Sequence, residues 1–384
     1  MRILHIFKAY PPVVGGIEYH VRALAEAQQR RGCAVTVLAA SASGRSTVAD
    51  EAGVRVIRTR SWGSVASTPM SPALVAWVRR LPTDVTHLHH PYPLGECAHQ
   101  LFGRASATVV TYHSEPVRYR RLGRVYRPFV SQLLRRADRV LVTTRSYLEG
   151  SPLLRPVMDR CRVVPLGIDP RPFASVERDE TDPSDEARAA RSVVLFVGRL
   201  RHYKGLDVLC DAAQAVDAEF RIVGDGPMGP VVRQRAGQSV AADRIRFFGQ
   251  VPDAALPAHY AAADIVVLPS VNRSEAFGLV LLEAMAAGRP VVSTELGTGT
   301  SVVNTHGETG LVVPPGDATA LAEALASLLA DPTRRTAMGE AGRQRVASRF
   351  HVDLMADRTV AIYREALGSR ESPTSQAPER HETA

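Results

Sequence analysis

The 384-residue chain has no apolar run approaching the roughly 20 residues that a bilayer-spanning helix needs. Its first residues, MRILHIFKAYPP, enter a strand-like apolar run at once, without a long hydrophobic leader core or a small-residue cleavage site. The expected location is therefore the cytoplasm. Cysteine is scarce, and Cys33, Cys97, Cys161 and Cys210 show no CxxC spacing. That excludes a disulfide framework or a cysteine zinc site and suits a reducing compartment. Lysine is almost missing, so arginine supplies nearly all of the net charge of +8. The arginines lie beside neither an aromatic stacking motif nor a helix-turn-helix, and nucleic acid is not an expected partner. No short repeat is present.

What is there is an alternation. RILHIF, a Gly-rich turn, an amphipathic stretch from Ile17 to Arg31 and AVTVLAA form a β-loop-α-β unit. DVTHLHH, SATVVTYH and RVLVTT follow at intervals that suit parallel strands with crossovers. Residues 171–191 are rich in Pro, Asp and Glu and poor in apolar residues, which predicts a linker. The pattern then restarts with SVVLFVGRL, FRIVGDGP, IRFFGQV, DIVVLPS and PVVST. Helices are predicted at Gly205–Ala215, Met228–Gln238, Leu256–Ala262, Gly278–Ala287 and Ala318–Leu329. The fold class is α/β, with Rossmann-like, doubly wound domains over 1–170 and 192–351. The last helical stretch is Val352–Leu367, and the polar tail 368–384 is predicted to be disordered.

Ligands of open parallel sheets bind at the carboxyl ends of the strands, and the motifs sit there. In SEAFGLVLLEAMAAGRPVV, Glu275 lies in the loop after DIVVLPS and Glu283 in the next helix. Backbone N–H groups of Gly278, Leu279 and Val280 at that helix start can cradle a phosphate oxygen. Glu275 can then face a sugar, and Glu283 can accept from ribose hydroxyls. Two glutamates at this spacing are ordinarily a helix cap and a surface residue. The Phe277-Gly278 step and the AAGRPVV continuation point to a ligand site instead. In FVGRLRHYKGLDVL, Arg199 and Lys204 follow a strand and precede a helix, so both can meet one diphosphate. Gly15 and Gly16 follow the first strand and allow close backbone approach to a phosphate or sugar, although the pair reads equally as a plain tight turn. His113, in TYHSEP, also stands just after a strand.

Gly224-Asp-Gly-Pro-Met-Gly229 fits the dinucleotide fingerprint, with Asp243 at about the right distance. It sits in the middle of its domain, however, so Gly224 and Gly226 read as a turn lining a nucleotide pocket. His87, His89 and His90 in HLHHP invite a metal reading. His87 and His89 share a strand face, yet no further ligand converges on them recognisably, and structural or acceptor-site roles are preferred. No Asp-x-Asp stands at a strand end, so no metal is expected.

These motifs resemble glycosyltransferase family 4, with its GT-B fold of two Rossmann-like domains facing a central cleft. The resemblance runs from Met1 to about Leu367 and includes GETGLVVPPGD late in the second domain. It implies a retaining, metal-independent hexosyltransferase without a cofactor, in which Arg199 and Lys204 hold the donor diphosphate, Glu275 contacts the sugar and Glu283 binds ribose. Gly16 would approach the phosphate and His113 the transferred sugar. The donor-binding set also takes in Gly15, Gly198, Val251 and Phe277. The leaving phosphate would help deprotonate the acceptor, so no dedicated base is needed. The same resemblance implies that 352–367 crosses back to the first domain.

HHPYPLGE, TYHSE and ELGTGTSVVN are similar to segments of bacterial α-mannosyltransferases that use GDP-mannose, and that donor is preferred to a UDP-sugar. The acceptor could be a carbohydrate, a lipid-linked compound or a small molecule. RYRRLGRVYRPFVSQLLRRADR (Arg118–Arg139) carries eight arginines. It reads equally as a peripheral contact with the inner membrane face and as a solvated surface. Two other classes stay open, a nucleotide-sugar epimerase of the same fold and a non-catalytic binder.

Overall fold

Each run of β-branched residues becomes a strand and each amphipathic stretch a crossover helix in a computed structural model of the chain. The structure describes all residues except 66–67, 115–119, 175, 177–190 and 372–384, with backbone alone for 120–125 and 369–371. Two compact units result, each with its own sheet.

The first unit comprises Met1–Val142, Leu153–Val164 and the chain from Ala356. Its strands are β1 (Arg2–Ile6), β2 (Ala34–Ala40), β3 (Thr47–Glu51), β4 (Val54–Thr59), the short pair β5 (Ser64–Val65) and β6 (Thr68–Pro69), β7 (Val85–His90), β8 (Ala107–Tyr112), β9 (Arg139–Val142) and β10 (Cys161–Val163). Helices α1 (Gly16–Arg30), α2 (Pro72–Arg80), α3 (Pro93–Phe102) and α4 (Arg120–Arg136) connect them. The eight-stranded sheet runs β10-β9-β8-β7-β1-β2-β4-β3, parallel except for the β3–β4 hairpin. That edge hairpin was not expected, because its outer strand is mostly exposed and shows no apolar alternation.

The second unit comprises Thr143–Pro152 and Pro165–Met355. It contains α5 (Arg145–Gly150), α6 (Arg171–Ala174), β11 (Val193–Val197), α7 (Leu206–Ala212), β12 (Glu219–Val223), α8 (Gly229–Gly237), β13 (Ile245–Gly249), α9 (Leu256–Ala262) and β14 (Ile265–Leu268). Then come α10 (Leu279–Ala286), β15 (Val291–Thr294), α11 (Thr300–Val303), β16 (Gly310–Val313), α12 (Ala318–Leu329) and α13 (Pro332–Arg349). The all-parallel sheet runs β13-β12-β11-β14-β15-β16. Helix starts follow local chemistry. Asp317 caps α12 by accepting from the Ala320 N–H at 2.9 Å, and Asp331 caps α13 with Pro332 at the first position.

Boundaries shift from those expected. Thr143–Pro152 and the chain from Pro165 group with the second unit, not with residues 1–170. Of the expected linker, Arg171–Ala174 is helical, because Phe173 is buried edge-on against Tyr260 at 5.6 Å; most of the remainder lies outside the described residues. Helix α14 (Val352–Glu371) starts in the second unit and joins the first from Ala356. It runs through Gly368–Glu371, four residues into the expected disordered tail, and residues 372–384 lie outside the described residues. Among the described residues, no helix is long and apolar enough to cross a membrane.

The core of the first unit is partly polar. His5 of β1, His20 of α1, His87 and His89 of β7 and His113 beyond β8 converge as five buried imidazoles. Burial pushes His5 down to about 4 and His20 down to about 3. Burial likewise holds His87, His89 and His113 well below the ordinary imidazole range. On the opposite face of β7, His90 donates to Glu96 at 2.9 Å, and Glu96 also accepts from the Tyr92 N–H at 2.8 Å and from the Tyr126 hydroxyl. Burial works to raise the Glu96 carboxyl, but His90 and these hydrogen bonds hold it below its ordinary range.

The sign of the pH dependence follows. Below pH 6.5 the unfolded chain takes up protons that the buried neutral imidazoles refuse, so stability falls as pH falls. Each such histidine costs about 1.4 kcal/mol per pH unit until its own folded pKa is reached. The denaturant midpoint of the first unit should therefore drop steeply between pH 7 and pH 5. Calorimetry at pH 6 in two buffers of different ionisation enthalpy should show net proton uptake on unfolding. A flat midpoint over that range would contradict a neutral histidine core.

Candidate active site

In the six-stranded sheet, β11 and β14 are neighbours from which the chain order runs in opposite directions, the place where open α/β sheets bind ligands. The residues after both strands meet there. Lys204 Nζ lies 2.6 Å from Glu275 Oε2, and the same oxygen accepts from Ser270 Oγ at 3.1 Å. The pair is buried, at 7% and 8% exposure. Burial works against the Lys204 ammonium, yet Glu275 beside it prevails and the pKa is raised. Gly205 makes this meeting feasible: at φ +66° it turns the chain, and a Cβ there would sit 2.0 Å from the Pro269 carbonyl oxygen. The two strand-end loops can approach this closely only through a glycine.

Glu275 Oε1 and the other two Lys204 protons have no hydrogen-bond partner in the protein among the described residues, and Lys204 Nζ also lies 5.6 Å from the centre of the Tyr203 ring. The Gly278, Leu279 and Val280 N–H groups at the start of α10 likewise donate to no protein acceptor there. Thr298 Oγ1 donates to the Glu275 carbonyl at 2.8 Å and fixes this loop. Glu283 lies buried within α10 and accepts from the Tyr260 hydroxyl at 2.6 Å. Burial raises its pKa, with Tyr260 opposing. Sequence patterns did not reveal Tyr260, Ser270 or Thr298; only the pairing of β14 with β11 and β15 draws their elements together.

Arg199 is exposed and has no ion-pair partner among the described residues, leaving its guanidinium open to a ligand. Val251 is half-buried after β13. The Phe277 side chain is buried and meets Phe350 edge-on at 6.1 Å, so it belongs to the core, and its backbone remains the part able to face a donor. Gly224 and Gly226 have a demonstrable packing reason. At Gly224 (φ +127°) a Cβ would lie 2.1 Å from the Gly198 carbonyl oxygen, and at Gly226 it would lie 2.5 Å from that of Leu200. The glycines thus seat the 224–229 turn on the loop that carries Arg199.

In the first unit, Gly15 and Gly16 start α1. A side chain at Gly15 would collide with the buried carboxylate of Glu18, 2.2 Å from the Cβ position, which makes Glu18 a neighbour that the sequence reading missed. His113 Nε2 lies 3.0 Å from His89 Nδ1. The expectation that no further ligands converge on His87 and His89 is corrected here. His5, His87 and His89 form one group with metal-ligand spacing, and His20, His89 and His113 form another. The additional histidines come from β1, α1 and the end of β8, which no local spacing connects. In α4, Val130, Leu133 and Leu134 are buried while Arg127, Arg135 and Arg136 are exposed; Arg118 and the side chains through Val125 lie outside the described residues.

The chain matches the family Glycosyltransferase Family 4 over residues 14–171 and Glycosyl transferases group 1 over residues 177–345. It is 36% identical to the D-rhamnosyltransferase WbpZ of Pseudomonas aeruginosa, over 91% of this chain and 92% of that protein. It is 33% identical to O-antigen chain mannosyltransferase C of Escherichia coli, over 96% of this chain and 100% of that protein. Among solved structures, the sucrose-phosphate synthase of Thermosynechococcus elongatus superposes with a TM-score of 0.78 at 28% identity, covering 96% of this chain and 99% of that one. Near-full-length relatives at this identity, on two Rossmann-like units with Lys204 and Glu275 joined at a strand-order reversal, place the chain in glycosyltransferase family 4 as a hexosyltransferase of the GT-B fold.

Proposed function

We propose that the protein transfers mannose from GDP-mannose to an acceptor hydroxyl with retention of configuration and without a metal ion. The observation that carries this reading is the buried Lys204–Glu275 pair, with two ammonium protons, one carboxylate oxygen and three nearby helix-start N–H groups unspent. Such a set suits a sugar diphosphate: cationic and N–H donors for phosphate oxygens, and a carboxylate oxygen for a sugar hydroxyl.

In this mechanism the bond between the anomeric carbon and the diphosphate oxygen breaks, and its electron pair leaves with the phosphate. Lys204 and Arg199 stabilise the charge that develops there. The acceptor oxygen attacks from the same face, and its proton passes to the departing phosphate oxygen. Glu283 Oε1 accepts from the ribose, and His113 contacts the transferred hexose. The preference for mannose draws support from the E. coli relative named for mannosyl transfer, at 33% identity. We further propose action at the inner membrane face on a lipid-linked or saccharide acceptor, with the exposed arginines of α4 meeting acidic headgroups.

Nucleotide choice is tested by thermal unfolding with GDP, GDP-mannose, UDP and UDP-glucose. A ligand at a hundred times its Kd stabilises by about 2.7 kcal/mol. The expected result is a shift with the guanine nucleotides alone; a shift confined to UDP and UDP-glucose would replace the donor. Product analysis with donor alone separates transfer from epimerisation, because a new nucleotide-sugar stereoisomer would identify an epimerase.

Arg199→Ala should lower kcat by about a hundredfold or more with an unchanged melting temperature, because the side chain is exposed and supports only developing charge. Unchanged turnover would remove Arg199 from the mechanism. Lys204→Met should abolish turnover and also destabilise by about 3 kcal/mol, since Glu275 is left buried without its counter-charge. Full stability in that variant would show that the pair is not coupled in solution.

A further inference from the structure

The histidine core of the first unit contains an unbroken chain of six hydrogen bonds. His113 Nε2 meets His89 Nδ1 at 3.0 Å, and His89 Nε2 meets His5 Nδ1 at 3.0 Å. His5 Nε2 lies 2.7 Å from Gln28 Oε1, and Gln28 Nε2 donates to the Tyr363 hydroxyl at 3.2 Å. Tyr363 lies 2.5 Å from His87 Nδ1, and His87 Nε2 reaches Thr111 Oγ1 at 2.6 Å. All these groups are buried.

The chain has a direction. Burial keeps the imidazoles neutral, so each ring has one N–H and one lone pair. With Gln28 Oε1 turned to His5 and its Nε2 to Tyr363, the amide oxygen can only accept, so in this orientation His5 carries its proton on Nε2 and offers a lone pair at Nδ1. His89 must then donate from Nε2 and accept at Nδ1, and His113 must donate from Nε2. On the other side, the Gln28 amide donates to the Tyr363 oxygen, the Tyr363 hydroxyl donates to His87 Nδ1, and His87 Nε2–H donates to Thr111 Oγ1. Every link has one donor and one acceptor, with no conflict along the path. We propose that this chain, oriented by Gln28 and Tyr363, locks His113 with its proton on Nε2 and a bare lone pair on Nδ1.

A metal ion is the competing occupant, because His20, His89 and His113 bring three ring nitrogens close together and neither nitrogen of His20 has a partner. Ring geometry opposes it. The His89 and His113 planes are 19° apart, and their centroids are separated by 5.3 Å, longer than the 3.0 Å N···N distance by about one ring width. The two nitrogens therefore lie on the line joining the rings, each aimed at the other. Shared ligands would instead aim at a third point about 2.0–2.1 Å from each nitrogen. The His5–His89 pair repeats the same arrangement at 5.3 Å and 24°. His20 stands edge-on to both His89 and His113, at 74° and 71°, outside the chain.

The consequence rests on the proposed role of His113 at the hexose. A locked Nδ1 lone pair accepts a hydrogen bond from a sugar hydroxyl and cannot offer a proton. Gln28 and Tyr363 are then positioning residues, buried behind His113 and acting through His89 and His5.

The test uses the full chain with ¹⁵N-labelled histidine. Long-range ¹H–¹⁵N correlation spectra distinguish a protonated from a bare ring nitrogen, and the His113→Gln variant assigns the His113 signals. In the resting protein we expect protonated Nε2 and bare Nδ1 for His113, His89 and His5, and bare Nδ1 for His87. Gln28→Leu and Tyr363→Phe should each mix the two tautomers of His113. Each should also lower kcat about tenfold with little change in donor KM, the range seen when an orienting partner is lost. Zinc added to the wild type should leave the ring signals in place.

A proton on His113 Nδ1 would overturn the proposal, as would an unaltered His113 pattern in both variants. Coordinated zinc-induced shifts of His20, His89 and His113 would overturn it in favour of a metal site. The tautomers are read without donor, so failure of the mannosyl-transfer reading leaves them unchanged.

Discussion

The second unit is organised by one buried ion pair. Removing an ammonium and a carboxylate from water carries a penalty of several kcal/mol per ion, offset only when the geometry is close and the remaining polar sites are satisfied. Lys204 and Glu275 meet the first condition at 2.6 Å, and Ser270 contributes to the second. The backbone is shaped to allow that approach. Gly205 lets the loop after β11 press against Pro269 at the end of β14, and Thr298, beyond β15, ties down the Glu275 backbone. Charges still unspent at such a site have a reason to be kept there. A lysine supplies a compact point charge whose remaining donors stay free, whereas a bidentate arginine would spend its fork on the carboxylate.

The first unit handles buried polarity in the opposite way. Its central imidazoles are neutral, and its hydrogen bonds run from group to group without a net charge. A carboxylate is handled differently on the other face of β7, where Glu96 gathers His90, the Tyr92 amide and Tyr126 around it. Strand alternation keeps these systems apart: His87 and His89 point to one face and His90 to the other. The chain's far end completes this core, since Tyr363 of α14 joins Gln28 to His87 and Asp357 pairs with Arg31. Distant sequence segments thus share one polar network within one unit.

Much of this was legible in the residues themselves. Strands β1, β2, β7 to β9 and β11 to β15 follow the expected apolar runs, helices α9 and α12 have the expected limits, and the motifs fall at strand ends, because side-chain periodicity and glycine geometry act over a few residues. Glu275, Lys204, Glu283 and the helix-start amides could be placed near strand ends for that reason. The exposed β3–β4 hairpin, the weakly amphipathic α13 and the continuation of α14 were missed, because their patterns are faint or their stability depends on packing.

The sequence by itself therefore determined which residues end the strands marked by its apolar runs and which side chains can carry charge there. Only the tertiary structure decided that Lys204 and Glu275 face each other, that Tyr260 holds Glu283, and that His5, His20 and His113 join His87 and His89. The physical reason is range. Backbone preference and hydrophobic period are local, whereas an ion pair or a hydrogen-bonded chain requires residues up to 335 positions apart, as Gln28 and Tyr363 are, to be brought within about 3 Å. Strand order and side-chain packing fix those distances, and no short stretch of this sequence encodes them.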